Sequence, residues 1–355
     1  MNFRNVLNIP RLFINGGMPV YLIFFVTALC DSKCRTCFNW KNLSKYDQSK
    51  ELSLEEIDKI ASNMNFLYQV TLGGGEPFLR TDIDEVAQIF HERNNAQIVT
   101  IPTNCMNPEI IAEKVDSILI KCPKLFLRLC LSLDGVGKLH DEIRGVPGNF
   151  KKFEETYKNL VHLRKRHGNF NIDVNTTVSH YNQDHLIETI DYVSEHFPEV
   201  NNHILSFTRG CVRDEKTKDV DPDKYEEAVR YVWLKTGGNE PRFLSRLFRS
   251  LQKVSREITM RTLVEKRRIV PCVAGNKIIV VDEQGSVFPC ELLGKKMGNL
   301  RDVDYDLKII LDSDKGREIR AEINTKKCFC TWETINHFNP IFDIHSYPRI
   351  IKNLF

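Results

Sequence analysis

The sequence has no apolar run long enough to cross a lipid bilayer. The apolar run at residues 19–29 has eleven residues, whereas a membrane-spanning helix needs about 20. No basic stretch, apolar stretch and small-residue cleavage site follow one another as they do in a secretory signal. We therefore expect a cytoplasmic protein.

The sequence also has little net charge, no internal repeat and no low-complexity tract. Its 50 Lys and Arg residues nearly balance its 47 Asp and Glu residues, so no overall basic field indicates a nucleic-acid partner. The lack of a repeat excludes solenoid architectures. A chain of 355 residues, 42% of them hydrophobic, has room for a large domain and a small one.

Cysteine is abundant, but it is not arranged as an extracellular disulfide framework. The eleven cysteines cluster by spacing, which is typical of metal binding in a reducing cytosol. Three lie in Cys30-Asp-Ser-Lys-Cys34-Arg-Thr-Cys37, directly after the apolar run at 19–29, which predicts a fully buried strand. Such thiolates can hold iron or zinc, and three of them leave one iron of a [4Fe–4S] cluster open. A zinc knuckle and reduced core thiols are the alternatives.

Strands and helices alternate through the first two thirds of the sequence. This alternation predicts a parallel sheet with helices outside it, and both an open (β/α)6 barrel and a doubly wound sheet fit. In either case the site lies at the carboxyl ends of the strands. The predicted strands are 19–29, 68–72, 97–101, 125–133, 170–178 and 203–208, and the predicted helices are 53–64, 81–93, 108–121, 150–167 and 184–197.

Polar and glycine-rich segments follow several of these strands. Gly73-Gly74-Gly75-Glu76-Pro77 follows the second, and its glycines allow a ligand close to the backbone while its carboxylate can receive an ammonium group. Ser132 and Asp134 end the fourth strand and share a face by the period of two. A plain turn at Asp134-Gly135, a loop cap at Asn104 and a satisfied interior amide at Asn175 are the alternatives at those positions.

Cys-x3-Cys-x2-Cys after a first strand, with a Gly-Gly-Glu-Pro run after the second, resembles the radical S-adenosylmethionine (SAM) family. The resemblance selects the open (β/α)6 partial barrel, with a [4Fe–4S] cluster on Cys30, Cys34 and Cys37. It implies that Arg144 meets the SAM carboxylate and that Phe38 packs near the adenine, because Thr36 replaces the usual aromatic residue. The other residues that it implies around SAM or the substrate cavity are Gly74, Gly75, Glu76, Asn104, Ser132, Asp134 and Asn175.

A second group of cysteines follows residue 270. Cys272 and Cys290 bracket a predicted hairpin, and Cys328-Phe-Cys330 follows after 37 intervening residues. This region looks like the SPASM/twitch extension of radical SAM enzymes, with a small hairpin and helix domain. Four cysteines favour a single auxiliary cluster, and the resemblance implies that it is of the [4Fe–4S] type. Either all four bind it, or one is spare and an iron is open to substrate; a zinc ribbon is the alternative.

Four cysteines remain outside these groups. We expect Cys122 and Cys130 to be packed thiols. Cys105 and Cys211 lie just beyond the third and sixth strands, near the expected mouth of the cavity. Some relatives use a thiol there as a hydrogen-atom donor, so these two are candidate catalytic thiols.

The resemblance implies an oxidoreductase that functionalises C–H bonds. SAM would be cleaved reductively, the 5′-deoxyadenosyl radical would abstract a substrate hydrogen, and the auxiliary cluster would assist oxidation or bond formation. We expect a peptide or small-molecule substrate, with a lipid-linked one as an alternative, and a reductant such as flavodoxin or ferredoxin. A two-cluster electron carrier is the non-enzymatic alternative, but it would not need the SAM motifs.

Residues 241–268 carry nine Lys or Arg and two Glu residues. Phe243, Leu244, Leu247, Phe248, Leu251, Val254 and Ile258 recur at helical spacing. A bridging helix packed on the barrel and an interfacial helix on anionic lipid both fit this pattern.

The sequence predicts five segments. They are an N-terminal extension at 1–18, the barrel at 19–210, a helical linker at 211–270, the twitch domain at 271–335 and a C-terminal tail at 336–355.

Overall fold

A computed structural model describes residues 8–236, 243–325 and 328–354. Its strands are β1 Tyr21–Thr27, β2 Gln69–Gly74, β3 Ile98–Thr103, β4 Phe126–Ser132, β5 Phe170–Val178, β6 Val200–Phe207, β7 Ile278–Val281, β8 Ser286–Phe288 and β9 Gly298–Asn299. The helices are α1 Ile9–Phe13, α2 Trp40–Leu43, α3 Leu54–Ser62, α4 Ile83–Asn94, α5 Pro108–Lys121, α6 Lys138–Arg144, α7 Asn149–Arg166, α8 Leu186–His196, α9 Pro222–Thr236, α10 Phe243–Glu265, α11 Leu307–Asp312, α12 Asp314–Asn324, α13 Glu333–Phe338 and α14 Tyr347–Lys352.

All nine strands belong to one sheet, in the order β6-β5-β4-β3-β2-β1-β7-β8-β9. Neighbouring strands from β6 to β7 are parallel, whereas β7–β8 and β8–β9 are antiparallel. Strands β1 and β6 do not pair, so the sheet curves without closing. The predicted α/β class and open partial barrel are confirmed.

Local sequence signals explain the elements that position the site. Every residue of β1 is buried, as expected of a central parallel strand with both faces covered. Ser53 caps α3 by accepting the Glu56 N–H, and Glu56 returns a bond to the Ser53 N–H, which is the capping box that the sequence indicates. The six predicted strands and five predicted helices of the barrel all occur, with shifted ends. Helices α6, α11 and α12 lie outside that set of predictions.

The C-terminal hairpin continues the barrel sheet instead of forming a separate one. Strand β7 pairs in parallel with β1, with Tyr21 opposite Ile278. Helix α13 lies near β1 and the end of β6, because the Phe338 ring lies 4.9 Å from the Tyr21 ring and the Phe207 N–H donates to Glu333 Oε1 at 2.5 Å. The small C-terminal region is therefore packed directly on the barrel.

The amphipathic helix predicted in 241–268 is α10, and its apolar stripe faces the protein. Val254 and Ile258 are buried in a cluster with Val270 and Ile350, and Leu247 and Leu251 pack against that cluster. The side chains of Phe243, Leu244 and Phe248 lie outside the described residues. The bridging-helix alternative is supported. The predicted lipid contact is not, because the described part of the stripe is covered.

Two of the basic residues of α10 bind other parts of the chain. Arg261 pairs with Glu257 and Glu265, and the Arg256 guanidinium donates to the Glu226 carbonyl. Within the described residues, no helix combines the length and apolarity needed to traverse a membrane.

Candidate functional site

The segment with Cys30, Cys34 and Cys37 lies directly after β1, at the carboxyl edge of the parallel strands. The three thiols are partly buried, and Cys34 lies close enough to interact electrostatically with the other two. Burial raises the pKa of Cys30 to about 12 and of Cys37 to about 11, while backbone N–H groups of Ser32 and Asn39 donate to these sulfurs and oppose the rise. Such thiols become thiolates when a cation binds them.

Backbone hydrogen bonds hold this cysteine loop from two sides. The N–H groups of Lys33 and Arg35 donate to the carbonyls of Arg144 and Ile143, at the end of α6. From the segment after β6, the Arg213 N–H donates to the Cys37 carbonyl, and the Asp214 N–H donates to the Arg35 carbonyl. The cysteines are thus fixed between β1, α6 and the segment that follows β6.

The glycine run after β2 packs against the chain that leads into Cys30. Gly74 has φ +113°, and a Cβ there would lie 2.3 Å from the Thr27 carbonyl oxygen. A Cβ on Gly75 would lie 2.0 Å from the Leu29 carbonyl oxygen. Neither distance is possible for a side chain, so glycine lets the run lie beside the cysteine loop.

Glu76 is buried and binds the end of β3. Its Oε1 accepts from Thr103 Oγ1 at 2.9 Å and from the Phe78 N–H at 3.2 Å, and its Oε2 accepts from the Asn104 N–H at 2.7 Å. Burial raises the pKa of Glu76 to about 7 against these bonds. A carboxylate has about four acceptor positions, so one remains for a further donor.

Asp134 and Arg144 form a buried ion pair beside the cysteines. Arg144 Nη1 lies 3.3 Å from Asp134 Oδ2, and Asp134 Oδ1 accepts the Thr177 N–H at 2.8 Å. Asp134 has no exposed surface, so it holds Arg144 in place. Among the residues that the structure describes, the buried Arg144 Nε has no hydrogen-bond partner, and the guanidinium interacts electrostatically with Cys34. A buried donor without a partner fits an anionic ligand group.

A hydrogen-bond network that the sequence reasoning missed ties these segments together. His140 Nδ1 accepts from the Asp134 N–H at 2.9 Å, and its Nε2 lies 3.1 Å from Asn149 Oδ1. Asn149 Nδ2 donates to the Asn104 carbonyl, and the Asn104 amide donates to Asp31 and Ser32 in the cysteine loop. Burial lowers the pKa of His140 to about 3, so it is a neutral structural acceptor. These residues are brought together by the fold, so their spacing in the sequence does not predict the network.

The remaining predicted SAM residues lie near this edge of the sheet. Ser132 and Asn175 are directly opposite each other on β4 and β5, and Ser206 donates to Asn175 Oδ1. Phe38 lies under the Arg209 guanidinium, with 5.5 Å from Cζ to the ring centroid. The roles of these residues toward SAM stay predictions.

The four remaining cysteines differ in exposure. Cys122 and Cys130 are buried, as expected of packed thiols. Cys105 is also fully buried, and burial raises its pKa; its predicted catalytic role stays a prediction. Cys211 is exposed in the segment after β6. Its predicted catalytic role stays a prediction.

Cys272, Cys290, Cys328 and Cys330 come together at the C-terminal end of the chain. Cys330 interacts electrostatically with each of the other three, and burial raises its pKa to about 12. Cys272, Cys328 and Cys330 line one cleft. Backbone N–H groups of Ala274, Leu292 and Trp332 donate to the sulfurs of Cys272, Cys290 and Cys330. The same kind of sulfur contact occurs at Cys30 and Cys37.

The donor sets are of the kind that holds iron–sulfur clusters, because both consist of cysteine thiols with backbone N–H groups directed at their sulfurs. Backbone donors to sulfur stabilise the charged thiolate that such a cluster requires.

A match to a protein-family model identifies the barrel. The model of the Radical SAM superfamily matches residues 24–193. The chain carries a radical SAM domain. The predicted radical SAM domain is therefore confirmed over residues 24–193, and a domain of this family implies a [4Fe–4S] cluster and SAM as its cofactors.

Individual proteins are similar to this chain over most of its length. It is 27% identical over 332 residues to an AdoMet-dependent heme synthase of Methanosarcina barkeri, covering 89% of this chain and 90% of that protein. It is 25% identical over 297 residues to the antilisterial bacteriocin subtilosin biosynthesis protein AlbA of Bacillus subtilis, covering 81% of this chain and 59% of AlbA. The solved structure of native anSMEcpe with bound AdoMet matches the fold with a TM-score of 0.58 at 16% identity, over 95% of this chain and 99% of that one.

Proposed function

We propose that the chain is a C–H functionalising radical SAM enzyme with one auxiliary cluster. The observation that carries the proposal is the convergence of Cys30, Cys34 and Cys37 with Glu76 and Arg144 at one edge of the sheet. When bound there, the [4Fe–4S] cluster and SAM supply the 5′-deoxyadenosyl radical that takes a hydrogen from the substrate.

The residues of the chain bind and orient SAM in this proposal. Glu76 has a free acceptor position for the ammonium group of the methionine end. Arg144 Nε, buried without a partner, donates to the carboxylate. Asp134 keeps the guanidinium in place, and Gly74 and Gly75 let the glycine run pack against the segment that leads into Cys30.

Arg209 lies between the two cysteine groups. Its guanidinium lies 3.3 Å from Glu291 and 3.7 Å from Glu333, which follow Cys290 and Cys330 closely in sequence. It also lies over Phe38, next to Cys37. We propose that Cys272, Cys290, Cys328 and Cys330 hold an auxiliary cluster on the far side of this junction, where it assists substrate oxidation or bond formation.

A small molecule is the substrate class that the comparisons support best. The match to the heme synthase extends over nearly the whole of both chains, which favours a substrate of tetrapyrrole type. The match to AlbA covers only 59% of that protein, so a peptide substrate is the second candidate. Incubation with an iron porphyrin or with a bacteriocin-type precursor peptide, followed by mass spectrometry, distinguishes the two.

Anaerobic reconstitution tests the proposal directly. The chain should hold roughly eight iron and eight sulfide per monomer, two cubanes' worth, and should release 5′-deoxyadenosine from SAM with dithionite. Replacing Cys30, Cys34 and Cys37 with Ala should remove about half of the iron and abolish cleavage.

Two controls make that result specific. Replacing Cys272, Cys290, Cys328 and Cys330 with Ala should also remove about half of the iron but should leave SAM cleavage. Cys122→Ala removes a buried thiol and should lose no iron. Cleavage by the first triple variant, or zinc at the second cysteine group, contradicts the proposal.

A further inference from the structure

We propose that a cationic patch beside the cysteine loop docks a small acidic electron-carrier protein. The patch consists of Lys33, Arg35, Lys41, Arg213 and Lys216. The inference rests on the proposed function, because a cluster that cleaves SAM reductively must receive an electron from outside the chain. It adds the surface through which that electron enters.

Two aromatic side chains each contact two of the five cations. Arg35 Cζ lies 4.6 Å and Lys216 Nζ 5.9 Å from the centroid of the Tyr181 ring. Lys41 Nζ lies 5.7 Å and Arg213 Cζ 5.9 Å from the centroid of the Trp40 ring. The backbone bonds of Arg213 and Asp214 to the cysteine loop bring the two groups together. Lys33 precedes Arg35 by two residues and is exposed.

The charge of the patch is not neutralised by the part of the chain that the structure describes. None of the five cations forms an ion pair there. Two acids lie nearby, and neither forms an ion pair with the five cations: Asp31 accepts from Asn104 and Asn107, and Asp214 accepts from Tyr181 Oη and the Lys216 N–H. By contrast, Lys218 pairs with Glu215. Unpaired cations on a fixed aromatic surface fit an acidic partner, because complementary charge speeds and orients the encounter.

The patch also lies next to the iron ligands. Arg213 bonds through its N–H to the Cys37 carbonyl and interacts electrostatically with Cys34 and Cys37. A carrier docked here passes one electron to the cluster held by Cys30, Cys34 and Cys37. The carrier is oxidised because it loses that electron, and the cluster is reduced because it gains it. An acidic peptide is the other class of partner with matching charge, but proximity to the cluster favours the carrier.

Charge reversal at three patch lysines tests the inference. Lys33→Glu, Lys41→Glu and Lys216→Glu are combined in one variant, since none of these side chains binds a metal or SAM. Lys124→Glu, Lys308→Glu and Lys315→Glu form the matched control, with the same change of charge at exposed positions outside the patch. Binding of oxidised flavodoxin and of oxidised ferredoxin to the reconstituted protein is measured by calorimetry at low and moderate salt.

The patch variant should bind at least one of the two carriers about tenfold or more weakly than the wild type, with a reduced salt dependence. Release of 5′-deoxyadenosine with that reduced carrier should fall correspondingly, and release with dithionite should be unchanged. The control variant should behave as the wild type.

Three results overturn the inference. The first is equal carrier binding by the wild type and the patch variant. The second is an equal loss of carrier binding in the patch and control variants. The third is a patch variant that binds the carrier normally but no longer modifies an acidic peptide when dithionite is the reductant. The last result assigns the patch to the substrate. Failure of the proposed function is a separate outcome, because it would abolish 5′-deoxyadenosine release with dithionite in the wild type.

Discussion

At the scale of single residues, the site depends on groups whose contacts differ from what their motif alone predicts. Glu76 is part of the Gly-Gly-Glu-Pro run, but three of its acceptor positions are used by Thr103, Asn104 and Phe78. It therefore joins β2 to β3 and has one position left for SAM. Arg144 likewise depends on Asp134, which has no access to a ligand itself.

Glu76→Ala should weaken SAM binding while both cysteine groups keep their iron. The variant removes a charge-assisted bond, worth about 1.5–3 kcal/mol, and leaves the Asn104 N–H without its acceptor. SAM affinity measured by calorimetry on the reconstituted protein should fall by roughly tenfold or more. Thr103→Val is the matched control, because it removes one donor but keeps the carboxylate. An unchanged affinity in Glu76→Ala would show that the ammonium group binds elsewhere.

Arg144→Ala should also weaken SAM binding, since it removes the buried guanidinium proposed to meet the SAM carboxylate. Asp134→Asn should have a smaller effect of the same kind, because the amide keeps its contact with Thr177 but no longer balances the positive charge of Arg144. Affinity for SAM and the iron content are the measurements. A larger loss in Asp134→Asn than in Arg144→Ala would place Asp134 itself against the ligand.

At the scale of elements, α10 shows that an amphipathic pattern does not determine which surface covers the apolar face of a helix. Its stripe fits a lipid surface and a protein surface equally well in sequence. In the fold, Val254 and Ile258 lie against Val270 and Ile350, and Ser250 Oγ donates to the Ile350 carbonyl. The C-terminal segment, and not a membrane, covers the helix.

Val254→Ala should lower the free energy of unfolding by about 2 kcal/mol, because it leaves a cavity under α10. The Lys253→Ala control changes an exposed neighbour on the same helix and should be nearly neutral. Both are measured by urea unfolding.

The wild-type protein should not float with anionic vesicles at low salt. Salt-sensitive flotation that is lost when Arg246, Arg249, Lys253 and Arg256 are replaced with Glu would support the interfacial helix instead.

At the scale of the whole molecule, the small C-terminal region is joined to the barrel by polar contacts as well as by β7. Arg301 donates to both carboxylate oxygens of Glu56, at 2.6 and 2.9 Å, and to the carbonyls of Lys50 and Glu51. Tyr305 Oη donates to the same carboxylate. The bond from Arg301 lowers the pKa of Glu56 to about 2.

Glu56→Gln should therefore destabilise the protein at neutral pH by about 1 kcal/mol, a value reduced for partial solvent exposure. Since the folded-state pKa is depressed, the contribution of Glu56 is present above its ordinary pKa and is lost as the pH falls from near 4.5 toward 2. Unfolding curves at pH 7 and pH 3 measure this. The difference between wild type and variant should shrink at pH 3; a difference that grows there would contradict the assignment. Glu55→Gln is the control, because Glu55 has no such partner among the described residues.

Much of the fold could be predicted, because local pattern controls it. Burial on both faces of a parallel strand requires the continuous apolar run of β1, and the capping box of Ser53 and Glu56 is a contact between near neighbours. The same applies to the cysteine loop and the glycine run, since each follows a strand and the carboxyl ends of parallel strands meet at one edge. Their juxtaposition follows from the alternation alone.

The sequence by itself determined the parallel barrel, the two cysteine groups and the edge at which the chemistry lies. Only the tertiary structure decided what each group contacts. It placed β7 on β1, turned the stripe of α10 toward Ile350, buried Cys105, and linked His140 through Asn149 to Asn104. The physical reason is range: periodicity and spacing report the exposure of residues a few positions apart, whereas these contacts join residues whose separation in sequence leaves no local signal.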